Sequence, residues 1–421
     1  MEAFDRHFEK LLSVAEDLEH REAIARATAH YEERKRRSLS RFKVEAWAEE
    51  LREIRRGSLD RLLDYVKQAM DALKEQGIEV HWAKDAREAN ELVAELLSGE
   101  RELLKVKSLA SEEIGLNEYL EERGVKVWET DVGALLMQLL GWKPSHPTGV
   151  SITVPRRRAA EAYSKLAGRR LPEDPKSLVG FVREFVRRKV TEVKVGLSGA
   201  NAIAADTGLI YLLTNEANDR LVTTLAEKYI VIAGIEKVMP DRYTCELYSK
   251  VIPVYATGAP FASFTGTVGM SRSNDIERVT VSPASGPSEI HVIFLDNGRT
   301  EMLKDPVFKE ALVCIKCGGC LYTCPVWRVV GGFFSGEGPY MGGFGVAWTL
   351  FTRGVKAVAP QAYTCTLCGR CREVCPMKVD APRMVLKARE ILAREGLVPE
   401  ALRRMAENIE VKGTPYEARL W

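Results

Sequence analysis

Eight of the chain's nine cysteines stand in two copies of one pattern: Cys314-Ile-Lys-Cys317-Gly-Gly-Cys320-Leu-Tyr-Thr-Cys324-Pro325 and Cys365-Thr-Leu-Cys368-Gly-Arg-Cys371-Arg-Glu-Val-Cys375-Pro376. Each reads C-x₂-C-x₂-C-x₃-C-P, the run that holds cubane [4Fe–4S] clusters. Three thiolates two residues apart wrap one cube from a single loop, and the fourth, after the wider gap, reaches the neighbouring cube. The spacing predicts one cluster on Cys314, Cys317, Cys320 and Cys375, and a second on Cys365, Cys368, Cys371 and Cys324. Structural zinc matches less well, because its sites are built from two C-x₂-C pairs. Two cubanes imply one-electron chemistry. Gly318, Gly319 and Gly369 are expected to let the backbone approach the cubes, and Pro325 and Pro376 to turn the chain beyond the last ligand. Lys316, Arg370 and Arg372 sit in or beside the loops, as charges that raise the cluster potential and face an acidic redox partner or simply as solvated loop charges. Cys245 has no partner at metal spacing and reads as a buried, inert thiol.

Other polar residues carry weaker signals. Asn201, Thr207, Asn215, Glu216 and Asn218 cluster around glycines on either side of one expected strand, Ile210–Thr214. Amides and backbone N–H groups in that setting suit a small-molecule or phosphate pocket, and equally suit tight turns. Glu129, Asp131 and His146 stand near another strand end, where they would bind a carboxylate or do acid/base work, or else cap and turn. None is assigned a catalytic role.

The surrounding elements fix where these groups can meet. The chain has 421 residues, 46% of them hydrophobic, and 61 basic against 59 acidic residues. That balance gives no basic surface for nucleic acid, no apolar run is long enough to span a bilayer, and the N-terminal residues do not read as a signal segment. Clusters of this kind need a reducing compartment, so a cytoplasmic location is expected. Residues 1–57 read as a helical arm with a solvated face. Residues 58–304 alternate helix and strand, with Ser58 as the cap of a helix through Leu73. Strands are expected at Ile78–Ala83, Leu103–Lys107, Val125–Glu129, Ile210–Thr214, Tyr229–Ile235 and Ile290–Leu295, and a helix over Ser111–Glu122. This is the pattern of a largely parallel α/β sheet with ligands beyond the carboxyl ends of its strands. Residues 255–287 read as a long exposed excursion. Residues 305–396 read as an all-helical two-cluster domain, and 397–421 as a tail. No G-x-G-x-x-G follows a strand, so no tightly bound dinucleotide is expected.

The α/β portion also carries a series of phrases in a fixed order: Lys105-Val-Lys-Ser108, Trp128-Glu129-Thr130-Asp131, Pro144-Ser145-His146-Pro147, Gly199-Ala200-Asn201, Asp206-Thr207-Gly208, Thr214-Asn215-Glu216-Ala217-Asn218, Gly234-Ile-Glu236-Lys237, Gly286-Pro-Ser-Glu289-Ile-His291 and Leu295-Asp296-Asn297-Gly298-Arg299. Joined to the cysteine runs, they resemble the lactate-utilisation iron–sulfur protein family, a LUD domain fused to a ferredoxin with two [4Fe–4S] clusters. The resemblance implies a LUD fold similar to sugar-phosphate isomerase and CoA-transferase domains. It implies electron transfer within a complex that oxidises a 2-hydroxyacid, L-lactate in that family. The partners it implies are a cysteine-rich CCG-motif subunit, a small LUD-domain subunit and an outside redox partner. The sequence departs from the family pattern at Asp206, Leu209, Ala217 and Phe333. The alternative is an electron-relay module, without a substrate site, of a flavoprotein or heterodisulfide-reductase-like complex.

Overall fold

The structure, a computed structural model, describes residues 2–416. Met1 and residues 417–421, the two ends of the expected arm and tail, lie outside the described residues. Six strands form one all-parallel sheet in the order β1-β10-β7-β4-β2-β3. They are β1 (Glu79–Ala83), β2 (Glu102–Lys105), β3 (Lys126–Glu129), β4 (Val195–Gly199), β7 (Lys228–Gly234) and β10 (Glu289–Leu295). The central strands β7 and β10 are almost continuously apolar, as strands covered on both faces must be. One face buries Leu103, Leu197, Ile230 and Ile293 with Val93 and Leu120 of the helices over it. The other buries Tyr229, Val231, Val292 and Phe294.

A second sheet, in the order β8-β5-β6-β9, consists of β5 (Ala202–Ala204), β6 (Ile210–Thr214), β8 (Val238–Met239) and β9 (Phe264–Val268). β4, β5, β8 and β9 have no clear strand signal in the sequence. β4 is broken by two glycines, and packing explains the first: a Cβ on Gly196 would meet Val222 Cγ1 at 2.7 Å. β9 lies inside the expected excursion, of which residues 272–285 are exposed. Two helix boundaries also differ from expectation. Ser58 does not cap a helix. It ends α3 (Val44–Ser58), and its hydroxyl donates to Arg55 O at 3.0 Å. The helical path continues because Leu51, Leu59, Leu62 and Val66 keep presenting one buried face. The helix expected over Ser111–Glu122 is split by Gly115 at φ 65° into Leu109–Glu113 and Leu116–Glu121. The split leaves Glu113 fully buried.

The arm is not a free appendage. It comprises α1 (Glu2–Glu16), α2 (Leu18–Arg41) and α3, and its apolar face closes over both other parts. Phe4 meets Tyr363 edge to face at 5.9 Å, Tyr31 stacks on Tyr322 at 4.0 Å, and Arg55 donates to Glu236 O, Leu312 O and Val313 O. One apolar core therefore runs through Tyr31 and Leu51 of the arm, Val231 and Phe294 of the sheet, and Trp327, Trp348 and Val385 of the cysteine region. The cysteine region is helical, with its main helices at Gly342–Arg353, Val355–Thr364 and Ala381–Arg394. Within the expected tail, the helix Glu400–Lys412 buries no residue. Among the described residues, no helix is long and apolar enough to cross a membrane.

Candidate cluster sites and the cavity beside them

The two cysteine loops repeat one backbone conformation. Lys316 and Leu367, at equivalent places in the two runs, have φ of 54° and 56°, and Gly318 and Gly369 have 75° and 78°. Alternating right- and left-handed residues turn successive N–H groups inward, forming a concave nest for negative charge. The N–H of Lys316 points at Cys314 Sγ at 3.3 Å, and that of Leu367 at Cys365 Sγ at 3.5 Å. Gly318 and Gly319 also answer a second demand. A Cβ on Gly318 would meet the His146 ring at 2.6 Å, and one on Gly319 would meet Tyr255 O at 2.5 Å. Both glycines are therefore required where the loop presses on the α/β domain.

Each run closes around its own void. Cys314, Cys317, Cys320, Cys371 and Cys375 line the first; Cys320, Cys324, Cys365, Cys368 and Cys371 line the second. The fourth cysteine of each run thus stands with the first three of the other. Phe344 lines both voids, and Phe334 lines the second. Burial, with charge on the neighbouring cysteines, pushes the thiols of Cys317 and Cys371 up to about 12. Sulfurs so placed are held as thiolates only by a bound metal centre. Four of the five sulfurs around each void, with inward N–H donors, fit a cubane. Cys368 is exposed, whereas Cys317 is buried. Cys245 lies in the core, fully buried on the helix Arg242–Thr257, as expected.

A cavity of about 300 Å³ opens at the carboxyl ends of β2, β4 and β7. Its wall includes Lys107, Asp131, Asn201, Asn215, Glu216, Asn218 and Lys237, and on the far side Ile315 and Lys316 of the first cysteine run. Of the pocket residues read from sequence, Asn201, Asn215, Glu216 and Asn218 line it. Thr207 does not: its hydroxyl donates to Asp206 at 3.2 Å, and its carbonyl accepts from Gln76 in an exposed turn. The others have structural partners too. Asn201 Oδ1 accepts from Leu213 N at 2.9 Å, Asn215 Oδ1 accepts from Ser263 N at 3.0 Å, and Asn218 donates to Thr130 at 3.1 Å. Glu216 accepts from Val132 N at 2.9 Å. Partial burial and the neighbouring Asp131 carboxylate raise Glu216 to about 7. Asp131 caps the helix Val132–Leu140 and pairs with Lys107 at 3.3 Å.

Glu129 and His146 are placed elsewhere. Glu129 is buried against Lys105 at 2.6 Å. His146 is fully buried between Tyr322 and Trp327, where its Nε2 donates to Gly318 O at 3.1 Å and its Nδ1 accepts from Thr148 N. Burial lowers it to about 4, so it is a neutral joint between the α/β domain and the first cysteine loop. A second joint is made of charges. Arg299 binds both oxygens of Glu113 at 2.8 Å and also Glu236; Lys316 binds Glu236 at 2.6 Å and Tyr340 at 3.1 Å. Burial would raise Glu236, but Arg299 and Lys316 hold it well below the usual carboxylate range. Lys316 is thus neither solvated nor turned to a partner, while Arg370 and Arg372 are exposed. Glu113, Glu236, Arg299 and Lys237 carry no local sequence signal of a site; only their long-range packing shows what they do.

Residues 66–295 match the LUD domain family, and residues 310–379 match the 4Fe-4S dicluster domain. The Lactate utilization protein B of Bacillus velezensis is 32% identical over 360 residues, 84% of this chain and 74% of that protein. The Uncharacterized electron transport protein YkgF of Escherichia coli K12 is 30% identical over 363 residues, 86% of this chain and 74% of that protein. A crystal structure of a DUF162 family protein from Deinococcus radiodurans, at 12% identity and a TM-score of 0.30, covers 56% of this chain and 98% of that one. An all-parallel α/β domain, two voids lined by a doubled cysteine run, and the two family matches in one order along one chain lead to a single assignment: the chain belongs to the LUD-domain family, in the branch that joins this domain to a [4Fe–4S] dicluster domain.

Proposed function

We propose that this chain is the iron–sulfur electron-transfer subunit of a cytoplasmic complex that oxidises a 2-hydroxyacid, L-lactate in our reading, the name of its Bacillus relatives pointing to lactate. Cys314, Cys317, Cys320 and Cys375 would hold the first cluster, and Cys365, Cys368, Cys371 and Cys324 the second. The observation that carries the reading is the shared wall: one cavity touches both the strand ends of the LUD domain and Ile315–Lys316 of the first cysteine loop. A cubane with four thiolate ligands supplies one-electron transfer and offers no open iron to a substrate. The protein's own part is to hold the cavity and the first cysteine loop against one shared wall. The exposure of Cys368 suits electron exit at the second site, so the path runs from cavity to first site to second site to surface. Partners of the kind implied by the family resemblance, a CCG-motif subunit and a small LUD subunit, would supply the hydride-accepting chemistry. Isolation of the native complex under anaerobic conditions tests this. Co-purification of a CCG-motif subunit is the expected result, while a large flavoprotein as the sole partner would instead make the chain a relay module.

A further inference from the structure

The carboxylates and cations at the cavity floor are tied together in ion pairs, and Lys237 stands outside them. Glu113 and Glu236 are matched by Arg299 and Lys316, and both Glu236 oxygens are occupied, Oε1 by Lys316 and Oε2 by Arg299. Lys237 follows Glu236 on the turn Ile235–Lys237 yet shares none of these bonds; its ammonium forms no hydrogen bond or ion pair among the described residues. It is half-buried and lines the cavity. A lysine normally carries its ammonium out to water, and burying one unpaired is costly. Burial, with repulsion from Lys316, lowers this one to about 7. The other two cavity lysines are already paired, Lys107 with Asp131 and Lys316 with Glu236.

We infer that Lys237 is the anion anchor of this cavity and that the ligand is a small organic monocarboxylate. This rests on reading the cavity as the site that feeds the first cluster. An unpaired cation beside an apolar surface matches a ligand with one negative charge. Val106, Leu212, Ile232 and Ile252 give the rest of the ligand an apolar surface. About 300 Å³ admits a small acid and excludes a dinucleotide.

Isothermal titration of the anaerobic holoprotein with pyruvate, L-lactate and inorganic phosphate tests the assignment. Pyruvate or L-lactate is expected to bind once per chain, in preference to phosphate. Lys237→Met should weaken that binding by about tenfold or more, and Lys237→Arg should retain it. Lys237→Met should also melt at a higher temperature than the parent, since an unpaired buried charge has gone. Carboxylate binding that is absent from the parent, weaker than that of phosphate, or unchanged in Lys237→Met would overturn the inference. A lower melting temperature in Lys237→Met would make the lysine structural and overturn it too. A redox titration separates the remaining role: altered cluster potentials with unchanged binding would assign Lys237 to the cluster instead. Failure of the electron-transfer reading has a different signature, carboxylate binding at Lys237 with clusters that L-lactate never reduces in the native complex.

Discussion

Glu216 sits at the cavity mouth with its carboxylate accepting from Val132 N and facing Asp131, while Lys107 balances only one of the two acids. Because its folded pKa is raised from 4.5 to about 7, the fold favours the protonated carboxyl. That contribution is fully present below pH 4.5, fades as the pH rises through 7, and above 7 leaves a repulsion that the unfolded chain lacks. Glu216→Gln keeps an acceptor for Val132 N and removes the charge. It should therefore melt above the parent at pH 8 and with it at pH 4.5 to 5. Water at the exposed carboxylate limits the gain to about 1 kcal/mol or less. A difference that does not change with pH would contradict this account of the Asp131–Glu216 pair. At this scale the sequence was informative where the chemistry is local. Asp131 was legible as a helix cap, and Asn215 and Glu216 as residues beside a strand end. Thr207 was not distinguishable from them, because whether a turn faces a cavity or water depends on the strands that carry it. Lys237 was silent for the same reason: its meaning comes from the two partners that occupy Glu236.

The cysteine loops are the elements that sequence described best, since ligand spacing and loop shape are both local properties. The repeated left-handed positions at Lys316 and Leu367, and at Gly318 and Gly369, show one design used twice. The exchange of the fourth cysteine makes a sharp prediction. Cys324→Ala should damage the cluster of the second run and Cys375→Ala that of the first, read as loss of one of two reduced [4Fe–4S] signals by electron paramagnetic resonance together with iron falling from about eight to about four per chain. Damage confined to each residue's own run would refute the crosswise ligand sets. Less of the α/β domain was readable. β6, β7 and β10 announce themselves through β-branched apolar runs and β1, β2 and β3 through their place between helices, whereas β4 hides behind the glycine that Val222 demands and β9 behind polar alternation in an exposed stretch. The arm's helices were legible, but what their apolar stripe packs against was not. α2 has few apolar positions, but Ile24, Thr28, Tyr31 and Ser38 fall on one stripe, and that stripe reaches Tyr255, Gly258 and Tyr322.

The arm, LUD domain and cysteine region are joined by one apolar core and by the buried Glu113–Arg299–Glu236–Lys316 chain, so the cavity and the first cluster loop share their supports. Breaking such a buried pair by removing one partner costs about 3–5 kcal/mol, so the pairs resist separation of the loop from the cavity. Under the proposed function the same coupling ties substrate to electron carrier: what occupies the cavity would lie against the first cysteine loop, while Cys368 of the second run is exposed. The direct test is to add L-lactate, without any artificial reductant, to the anaerobic native complex and to the isolated chain, and to record the electron paramagnetic resonance of the clusters. In the complex, L-lactate should produce the signals of reduced [4Fe–4S] centres on this chain, while the isolated chain stays oxidised for want of a hydride acceptor. Clusters that remain oxidised in the complex under L-lactate, yet reduce with dithionite, would contradict the account.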